Sequence, residues 1–451
     1  GVEIFKLLPK TNCKKCGFPT CLAFAMKLAA RQADINACPD VSEEAKRILG
    51  EASAPPVRQI TLGVGEKAIK MGEETVLFRH DKKFVNPCAF ALRINDNSSD
   101  NDIFNQIEAV KSSEVERVGQ KLRVDMIAVE NASGDAGRFE IVVKKIIESA
   151  PDVPLMLASS NLDAISAGLK HCADKKPLIY AAYEDNAEAM AAIAKERKLP
   201  LVVSSDNLDT LVTLSEKVRG LGIEDIILDS CAKSPKEIIE KNTIIRRAAI
   251  KKNFKPLGYP IITFTGIEDR ETKDDSIHEA AIATVAVTKY ASIVVLNSIE
   301  KWKMLALFTL RQNIYTDPQV PMQVAQEIYK VGEPTTESPL LVTTNFSLTY
   351  FIVRGEVENS KVPCWLAVMD AEGLSVLTAW AAGKFTASKI AEFIKGSEIE
   401  NSINHRELII PGYVAILSGA LEEKLEGWKI TVGPREANGI PSFFKSRTVG
   451  G

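Results

Sequence analysis

The sequence predicts an α/β protein with three parts: a small N-terminal cysteine module, a central (β/α)8 TIM barrel, and a C-terminal doubly wound domain of the flavodoxin-like or Rossmann-like type. Three observations predict this organisation. Four cysteines crowd into the first 38 residues, eight apolar runs alternate with helical stretches in the middle, and a shorter strand–helix alternation follows a proline-containing link. A chain of 451 residues also exceeds one ordinary core. We therefore expect domains at 1–56, 57–330 and 331–451, the first and last including linkers.

The composition is typical of a soluble globular protein, with 45% apolar and 25% charged residues. Its 56 basic and 59 acidic residues are mixed along the chain, and no basic block carries interleaved aromatic residues, which argues against a nucleic-acid partner. The most apolar window, 280–287, is far shorter than the roughly 20 residues that cross a bilayer. The first residues lack the features of a secretory signal. We therefore expect no membrane association and a cytoplasmic location.

The N-terminal module contains four cysteines with the spacing C-x2-C-x4-C-x16-C: Cys13, Cys16, Cys21 and Cys38. Such a cluster in a large cytosolic protein indicates metal ligation rather than disulfides. Gly17 and Pro19 predict a tight loop that directs backbone amides toward sulfur. Residues 22–29 have the pattern of a short amphipathic helix. The close triplet with a remote cysteine followed by proline favours a [4Fe–4S] cluster over a [2Fe–2S] cluster.

Structural zinc is the alternative for these four thiols. Zinc ribbons usually pair two C-x2-C knuckles, whereas this chain has one. The remaining cysteines are isolated in apolar surroundings, where buried, unreactive thiols are expected: Cys88, Cys172, Cys231 and Cys364.

The central part alternates strands that are apolar throughout with helices, which is typical of a parallel sheet covered on its faces. Eight such units over about 250 residues predict a (β/α)8 barrel. The predicted strands are 88–94, 125–129, 154–158, 177–181, 200–203, 225–229, 260–264 and 292–297.

Polar residues follow several of these strands, where barrel active sites lie, and Glu130, Asn161, Asn207 and Asp229 are examples. Ser, Asn and Asp are also the usual N-cap residues of the following helices. No zinc-protease, esterase or phosphate-loop motif is present. The sequence therefore leaves the chemistry of the barrel open, with capping as the simpler interpretation.

The C-terminal part predicts strands at 340–344, 363–369, 407–410 and 429–432, with helices at 347–357, from 374, from 386 and at 412–425. In doubly wound domains ligands bind beyond the carboxyl ends of the strands. Three of the four turns at those ends contain glycine. Close backbone approach to a ligand and ordinary turn chemistry explain the glycines equally well.

With these features in place, the whole chain resembles the large (gamma) subunits of the corrinoid iron–sulfur proteins of the reductive acetyl-CoA (Wood–Ljungdahl) pathway. The resemblance depends on the cysteine motif, the order of the three parts, and two stretches at 344–351 and 411–419. It implies a [4Fe–4S] cluster at the N-terminus and a cobamide in the C-terminal domain.

The resemblance also implies which turn residues contact the cobamide, with Leu377 and Thr378 expected near its lower face. The expected contacts are Asn345, Gly373, Leu374, Ser375, Val376, Leu377, Thr378, Gly412, Ser418, Gly433, Pro434, Arg435, Glu436 and Ala437. The cobalt-ligating motif D-x-H-x-x-G is absent, and His405, the only histidine after residue 331, precedes a strand. The implied cofactor is therefore base-off without a protein ligand.

The function implied by the resemblance is that of a methyl carrier, in which Co(I) accepts a methyl group from methyltetrahydrofolate via a methyltransferase and passes it to acetyl-CoA synthase. The cluster would reduce Co(II) back to Co(I). The implied partners are a small barrel subunit forming a heterodimer, the methyltetrahydrofolate:corrinoid methyltransferase, and acetyl-CoA synthase/CO dehydrogenase.

Three alternatives stay open at this point. The first is an iron–sulfur electron-transfer subunit that binds a flavin or a protein partner. The second is a methyltransferase whose own barrel binds the pterin, and the third is an assembly protein with structural zinc.

Overall fold

The computed structural model describes residues 2–29, 32–42, 44–46, 55–266 and 276–448. The chain forms two compact units. The first comprises residues 1–78, 84–113 and 124–315, and the second comprises 79–83, 114–123 and 316–451. The linker predicted at 54–56 begins at Ala54, which lies outside the described residues. The division into three domains stays a prediction.

The N-terminal segment contains two helices, α1 (Val2–Leu7) and α2 (Cys21–Ala29). The second matches the predicted amphipathic helix and begins at a cysteine. Phe24 and Ala25 of α2 pack with Leu8 and Val41 in a small core that also holds two of the four clustered cysteines. The segment therefore has an apolar centre of its own on which the cysteine loop is built.

A closed barrel of eight parallel strands follows, which confirms the predicted TIM barrel. Each strand begins within one residue of its predicted first residue. The strands, in barrel order, are β3 (Ala89–Asn95), β6 (Met126–Glu130), β7 (Leu155–Ala158), β8 (Leu178–Ala182), β9 (Leu201–Ser204), β10 (Ile226–Asp229), β11 (Ile261–Phe264) and β12 (Ala291–Leu296). Inward residues such as Ala91, Met156 and Ile227 fill the interior, because successive side chains of a strand alternate between the interior and the helices.

The helices associated with the barrel cover the outer face of its strands. They are α3 (Asp100–Lys111), α4 (Ala136–Ser149), α5 (Leu162–Cys172), α6 (Ala187–Arg197), α7 (Leu208–Gly220), α8 (Pro235–Lys252), α9 (Ser276–Thr288) and α10 (Lys301–Tyr315). Two short hairpins are not predicted from the sequence: β1 (Ile60–Leu62) with β2 (Ile69–Met71) in the first unit, and β4 (Val115–Arg117) with β5 (Gln120–Leu122) in the second unit. Ile60 and Leu62 join the apolar interior of the barrel.

The second unit is organised around a five-stranded sheet with the order β13-β15-β14-β16-β17. Its strands are β13 (Glu327–Val331), β14 (Leu340–Thr344), β15 (Cys364–Met369), β16 (Glu407–Ile410) and β17 (Lys429–Val432). The last four are parallel, and β13 is an antiparallel edge strand that the sequence interpretation omitted. Val331, where the sequence places a linker, is paired with Cys364 inside this sheet.

Helices cover both faces of this sheet. Leu340 and Val342 share one core with α13 (Ala387–Gly396) and α14 (Ser418–Lys424), whereas Leu341 shares the other with α11 (Ser347–Ser360) and α15 (Ile440–Thr448). A short helix, α12 (Val376–Ala381), follows β15. The predicted helix at 412–425 is divided: residues 412–417 form a 3-10 segment and only the rest is α-helical.

Candidate functional site

The four clustered cysteines lie around one loop and the start of α2. Cys21 and Cys38 are buried, Cys16 is half-buried and Cys13 is exposed. The Asn12 backbone N–H donates to Cys21 Sγ at 3.4 Å, and Asn12 Oδ1 accepts from the Cys21 N–H at 2.8 Å. The loop therefore already supplies one of the N–H···S bonds that the sequence predicts around these sulfurs.

Charged side chains border the exposed edge of the loop. The Lys15 ammonium bonds both carboxylate oxygens of Asp40 at 3.0–3.1 Å, and Cys13 Sγ lies 3.6 Å from the same carboxylate. The hydrogen bond and charge of Asp40, and further the Cys13 and Cys38 sulfurs, raise the pKa of Lys15. The ion pair between Lys15 and Asp40 therefore borders Cys13 at the exposed edge of the loop.

The donor set fits an iron–sulfur cluster, since four thiols are the ligands that such clusters use. Within the described ranges, no three His, Cys, Asp or Glu side chains are grouped so as to hold a single metal ion. Gly17, at φ +82°, turns the loop between the second and third cysteines, and a side chain there would be strained.

The second unit contains a mostly apolar cavity of about 270 Å³ at the carboxyl ends of its strands. Its walls include eight of the fourteen predicted contacts: Ser375, Val376, Leu377, Gly433, Pro434, Arg435, Glu436 and Ala437. Sequence reasoning missed the apolar floor and helix wall, which are Leu341, Val342, Thr343, Thr349, Ile352, Val353, Ile409, Ile410, Pro411, Tyr413 and Ile440.

The cavity lies where the order of the strands in the sheet reverses. Chain order runs from β14 outward to β15 on one side and to β16 on the other, so the topological switch point lies between β14 and β16. These two strands pair only at Leu341 and Ile409. Leu341 and Ile409 line the cavity together with Thr343 and Ile410, which follow them toward the carboxyl ends of the two strands.

Two polar features stand out in this apolar lining. The Thr343 hydroxyl is buried and has no hydrogen-bond partner within the described residues. The Tyr413 hydroxyl donates to Glu436, which joins two loops at the cavity, and this hydrogen bond raises the pKa of Tyr413. A bound molecule could supply the partner that the Thr343 hydroxyl lacks, since buried hydroxyls are rarely left unpaired.

The other predicted contacts lie outside the cavity lining, and two of them have visible structural tasks. A Cβ at Gly412 would lie 2.6 Å from Gly433 O and 2.8 Å from Arg435 N, so this glycine allows two loops to approach each other. Gly373 has φ +72° and lies against Pro321 and Gln323. The remaining four predicted contacts that lie outside the cavity lining are Asn345, Leu374, Thr378 and Ser418.

His405 lies at the amino end of β16, away from the carboxyl ends that form the cavity. Its Nε2 lies 2.9 Å from Ser338 O, and its Nδ1 accepts from the Glu407 N–H at 3.2 Å. Both ring nitrogens are therefore engaged by the protein.

The polar strand ends of the barrel mostly cap helices, as the simpler interpretation predicts. Asn161 and Asn207 each accept two backbone N–H bonds at the start of α5 and α7. Glu130 instead pairs with Arg93 at 3.3 Å.

Asp229 departs from the capping pattern, because it faces the barrel interior. It is buried and accepts hydrogen bonds from the Tyr180 hydroxyl at 2.7 Å, Ser204 at 3.2 Å and the Cys231 N–H at 2.8 Å. Burial raises its pKa. Three protein groups donate hydrogen bonds to this carboxylate, so Asp229 stabilises the carboxyl-terminal ends of the barrel strands.

Of the four isolated cysteines, Cys88, Cys172 and Cys364 are buried as expected, and Cys231 is half-buried. Burial raises the pKa of Cys231 to about 11, which keeps its thiol protonated and unreactive at neutral pH.

Comparison with known proteins gives the chain a family. The family profile described as CO dehydrogenase/acetyl-CoA synthase delta subunit matches residues 59–444, and an Fe-S cluster profile matches residues 8–39. The corrinoid/iron-sulfur protein large subunit of Moorella thermoacetica is 44% identical over 99% of this chain and 98% of its own length.

Archaeal relatives show the same full-length similarity. The acetyl-CoA decarbonylase/synthase complex subunit gamma of Methanosarcina acetivorans is 37% identical, covering 98% of this chain and 97% of its own. That of Methanocaldococcus jannaschii is 35% identical, covering 99% and 96%. Among the described helices, none is long and apolar enough to cross a membrane.

The full-length similarity to the bacterial and archaeal relatives shows the family. The chain belongs to the corrinoid/iron–sulfur protein large (gamma) subunits, as its sequence resemblance predicted.

Proposed function

We propose that this chain is a corrinoid methyl carrier, with a [4Fe–4S] cluster on its four N-terminal cysteines and a base-off cobamide in its C-terminal, flavodoxin-like domain. The observation that carries the proposal is the apolar cavity at the switch point between β14 and β16, in a chain whose full-length relatives are named corrinoid/iron-sulfur proteins. Switch points are where open α/β sheets bind their ligands.

When bound, the corrinoid supplies a Co(I) nucleophile that accepts a methyl group from methyltetrahydrofolate via a methyltransferase and passes it to acetyl-CoA synthase, while the cluster supplies the electron that returns Co(II) to Co(I). The protein contributes binding, orientation and exclusion of water. Ile352, Leu377 and Tyr413 line the cavity and are each between 44% and 49% exposed, so they offer apolar surface to a group too large for the cavity itself.

The base-off state is supported by the location of His405 at the opposite end of β16, with both ring nitrogens bonded to protein groups. No other histidine occurs after residue 331. This domain therefore offers no free histidine that would ligate a bound cobalt, which would favour the reduced state of the corrinoid.

The cysteine loop supports a reducing role for the N-terminus. The Asn12 N–H bonded to Cys21 Sγ stabilises negative charge on that sulfur. Cys13 is exposed, so the loop has an accessible edge for electron transfer.

The proposed partners are a small barrel subunit, which would complete a heterodimer, the methyltetrahydrofolate:corrinoid methyltransferase, and acetyl-CoA synthase/CO dehydrogenase. Membership of a synthase complex is supported by the archaeal relatives, which are named as subunits of such complexes.

Metal analysis and an absorption spectrum of the anaerobically purified chain test the proposal. We expect about four irons and one cobalt per chain, with corrinoid bands. Added methyltransferase and methyltetrahydrofolate should then methylate the bound corrinoid, and the chain alone should not.

Each alternative predicts a different result. Flavin bands without cobalt would indicate an electron-transfer subunit, and zinc without iron or cobalt would indicate an assembly protein. Methyl transfer from methyltetrahydrofolate by the chain alone would indicate that its own barrel binds the pterin. Any of these results would overturn the proposal.

A further inference from the structure

Asn345, directly after β14, is buried with 3% of its surface exposed, and its side-chain amide is fully used by the protein. Its Oδ1 accepts from the backbone N–H of Ala371 at 3.0 Å and of Gly373 at 3.1 Å. Its Nδ2 donates to Asp370 Oδ1 at 3.0 Å and Gln323 Oε1 at 3.2 Å. A primary amide offers two donors and two lone pairs, so no capacity is left for a ligand.

These bonds hold the loop that follows β15. In that loop Glu372 has φ +57° and Gly373 has φ +72°. A left-handed conformation costs a non-glycine residue about 1 kcal/mol or more, so the loop needs fixed partners. The Asp370 carboxylate supplies one more by accepting the Glu372 N–H at 2.9 Å.

The same loop leads directly into one wall of the cavity. Ser375, Val376 and Leu377, which line it, begin two residues after Gly373. The position of this wall therefore depends on the loop, and the position of the loop depends on the Asn345 amide.

The backbone of Asn345, which carries the side-chain amide, is itself held by two hydrogen bonds. Its N–H donates to Met369 O at 2.9 Å, and its carbonyl accepts from the Val324 N–H at 3.0 Å. The residue thus joins β14, the end of β15 and the segment before β13, and its side chain cannot move without disturbing all three.

We infer that Asn345 is a positioning residue for the corrinoid site, which sets the Ser375–Leu377 wall through the 370–373 loop without touching the cofactor. This inference rests on the proposed function. Sites tolerate displacements of only about 0.5 Å, so loss of the amide should weaken binding although the amide makes no contact.

The pair Asn345 and Asp370 offers a rescue experiment. Asn345→Asp keeps both acceptor bonds but replaces the donor to Asp370 with a second carboxylate, so repulsion should displace the loop. Asp370→Asn alone keeps an oxygen for both of its N–H donors and should change little. In the combined variant the new amide at position 370 can donate to the new carboxylate at position 345, which removes the repulsion but gives up the acceptor for the Glu372 N–H.

The readout is the dissociation constant for hydroxocobalamin, followed by its absorption spectrum, in the full chain at a temperature well below unfolding. We expect Asn345→Asp to weaken binding at least tenfold and to alter the bound spectrum, and the combined variant to bind more tightly than Asn345→Asp although more weakly than wild type. A purely structural role would lower the unfolding temperature without changing either the affinity or the spectrum of the folded protein.

Asn404→Asp is the matched control, because Asn404 Nδ2 also donates to a carboxylate, Glu337 Oε1 at 3.2 Å, in the same unit. It should bind hydroxocobalamin as wild type does.

Two results would overturn the inference alone: wild-type affinity in Asn345→Asp, or a folded combined variant that binds no more tightly than Asn345→Asp. Where Asn345→Asp fails to fold, wild-type affinity in a folded Asn345→Ala chain, which lacks the whole amide without adding a charge, overturns it instead. A wild-type chain that takes up no corrinoid would overturn the proposed function and this role with it.

Discussion

Gly412→Ala tests whether the walls of the cavity depend on close approach of two loops. The backbones of the loops are hydrogen-bonded, Gly412 N–H to Pro434 O at 3.0 Å and Gly433 N–H to Ile410 O at 2.9 Å. An added Cβ would meet three backbone atoms at 2.6–2.8 Å, whereas ordinary contacts begin at 3.4 Å. The loops must therefore separate by about 0.6–0.8 Å, an overpacking that typically costs about 1–3 kcal/mol.

Two measurements follow from this displacement. Urea unfolding should show a free energy lower by about 1–3 kcal/mol, and hydroxocobalamin titration should show affinity reduced about tenfold or more, since Pro411, Tyr413 and Gly433 line the cavity. Gly419→Ala is the matched control, because nothing lies within 4 Å of its added Cβ. Equal stability and affinity in the Gly412 and Gly419 variants would refute the reasoning.

Four further outcomes are expected. Thr343→Val removes a buried hydroxyl without a partner, so the free energy of unfolding should change by less than about 1 kcal/mol while hydroxocobalamin affinity falls in titration. Lys303→Met leaves Glu279 buried without its ion pair and should cost about 3–5 kcal/mol in urea unfolding; a loss below 1 kcal/mol would contradict this. Partial burial opposes ionisation of Glu300, but the hydrogen bonds from Lys303, from the backbone and from Ser276, together with the charge of Lys303, outweigh it and hold the pKa at about 2. This lowered pKa contributes stability above pH 4.5 that is lost as the pH falls toward 2, and acid titration of Lys303→Met should lack that component. Cys21→Ala should lose most of the iron in metal analysis, and retention of full iron content would exclude it as a ligand.

Some errors of the sequence interpretation have identifiable physical causes. The edge strand β13 is largely exposed and carries two charged residues, Glu327 and Lys330, so it lacks the continuous apolar run that reveals a buried parallel strand. In the predicted helix at 412–425, Val414 has a non-helical φ of −113°, although its residue type permits a helix, and the α-helix begins only at Ser418. Neither the edge strand nor the non-helical conformation of Val414 has a strong signal in the local sequence.

The sequence by itself determined the elements whose signal is local: eight strands buried on both faces, the cysteine spacing, and the turns at the carboxyl ends of the C-terminal strands. It could not determine the task of each turn residue. Gly412 and Asn345 are both predicted cofactor contacts, which stays a prediction; the structure shows in addition that Gly412 approaches a neighbouring loop and that Asn345 holds the 370–373 loop. Only the tertiary structure decided this, because the partners of a turn residue lie on strands and loops distant in sequence, and the local sequence is the same whichever partner it meets.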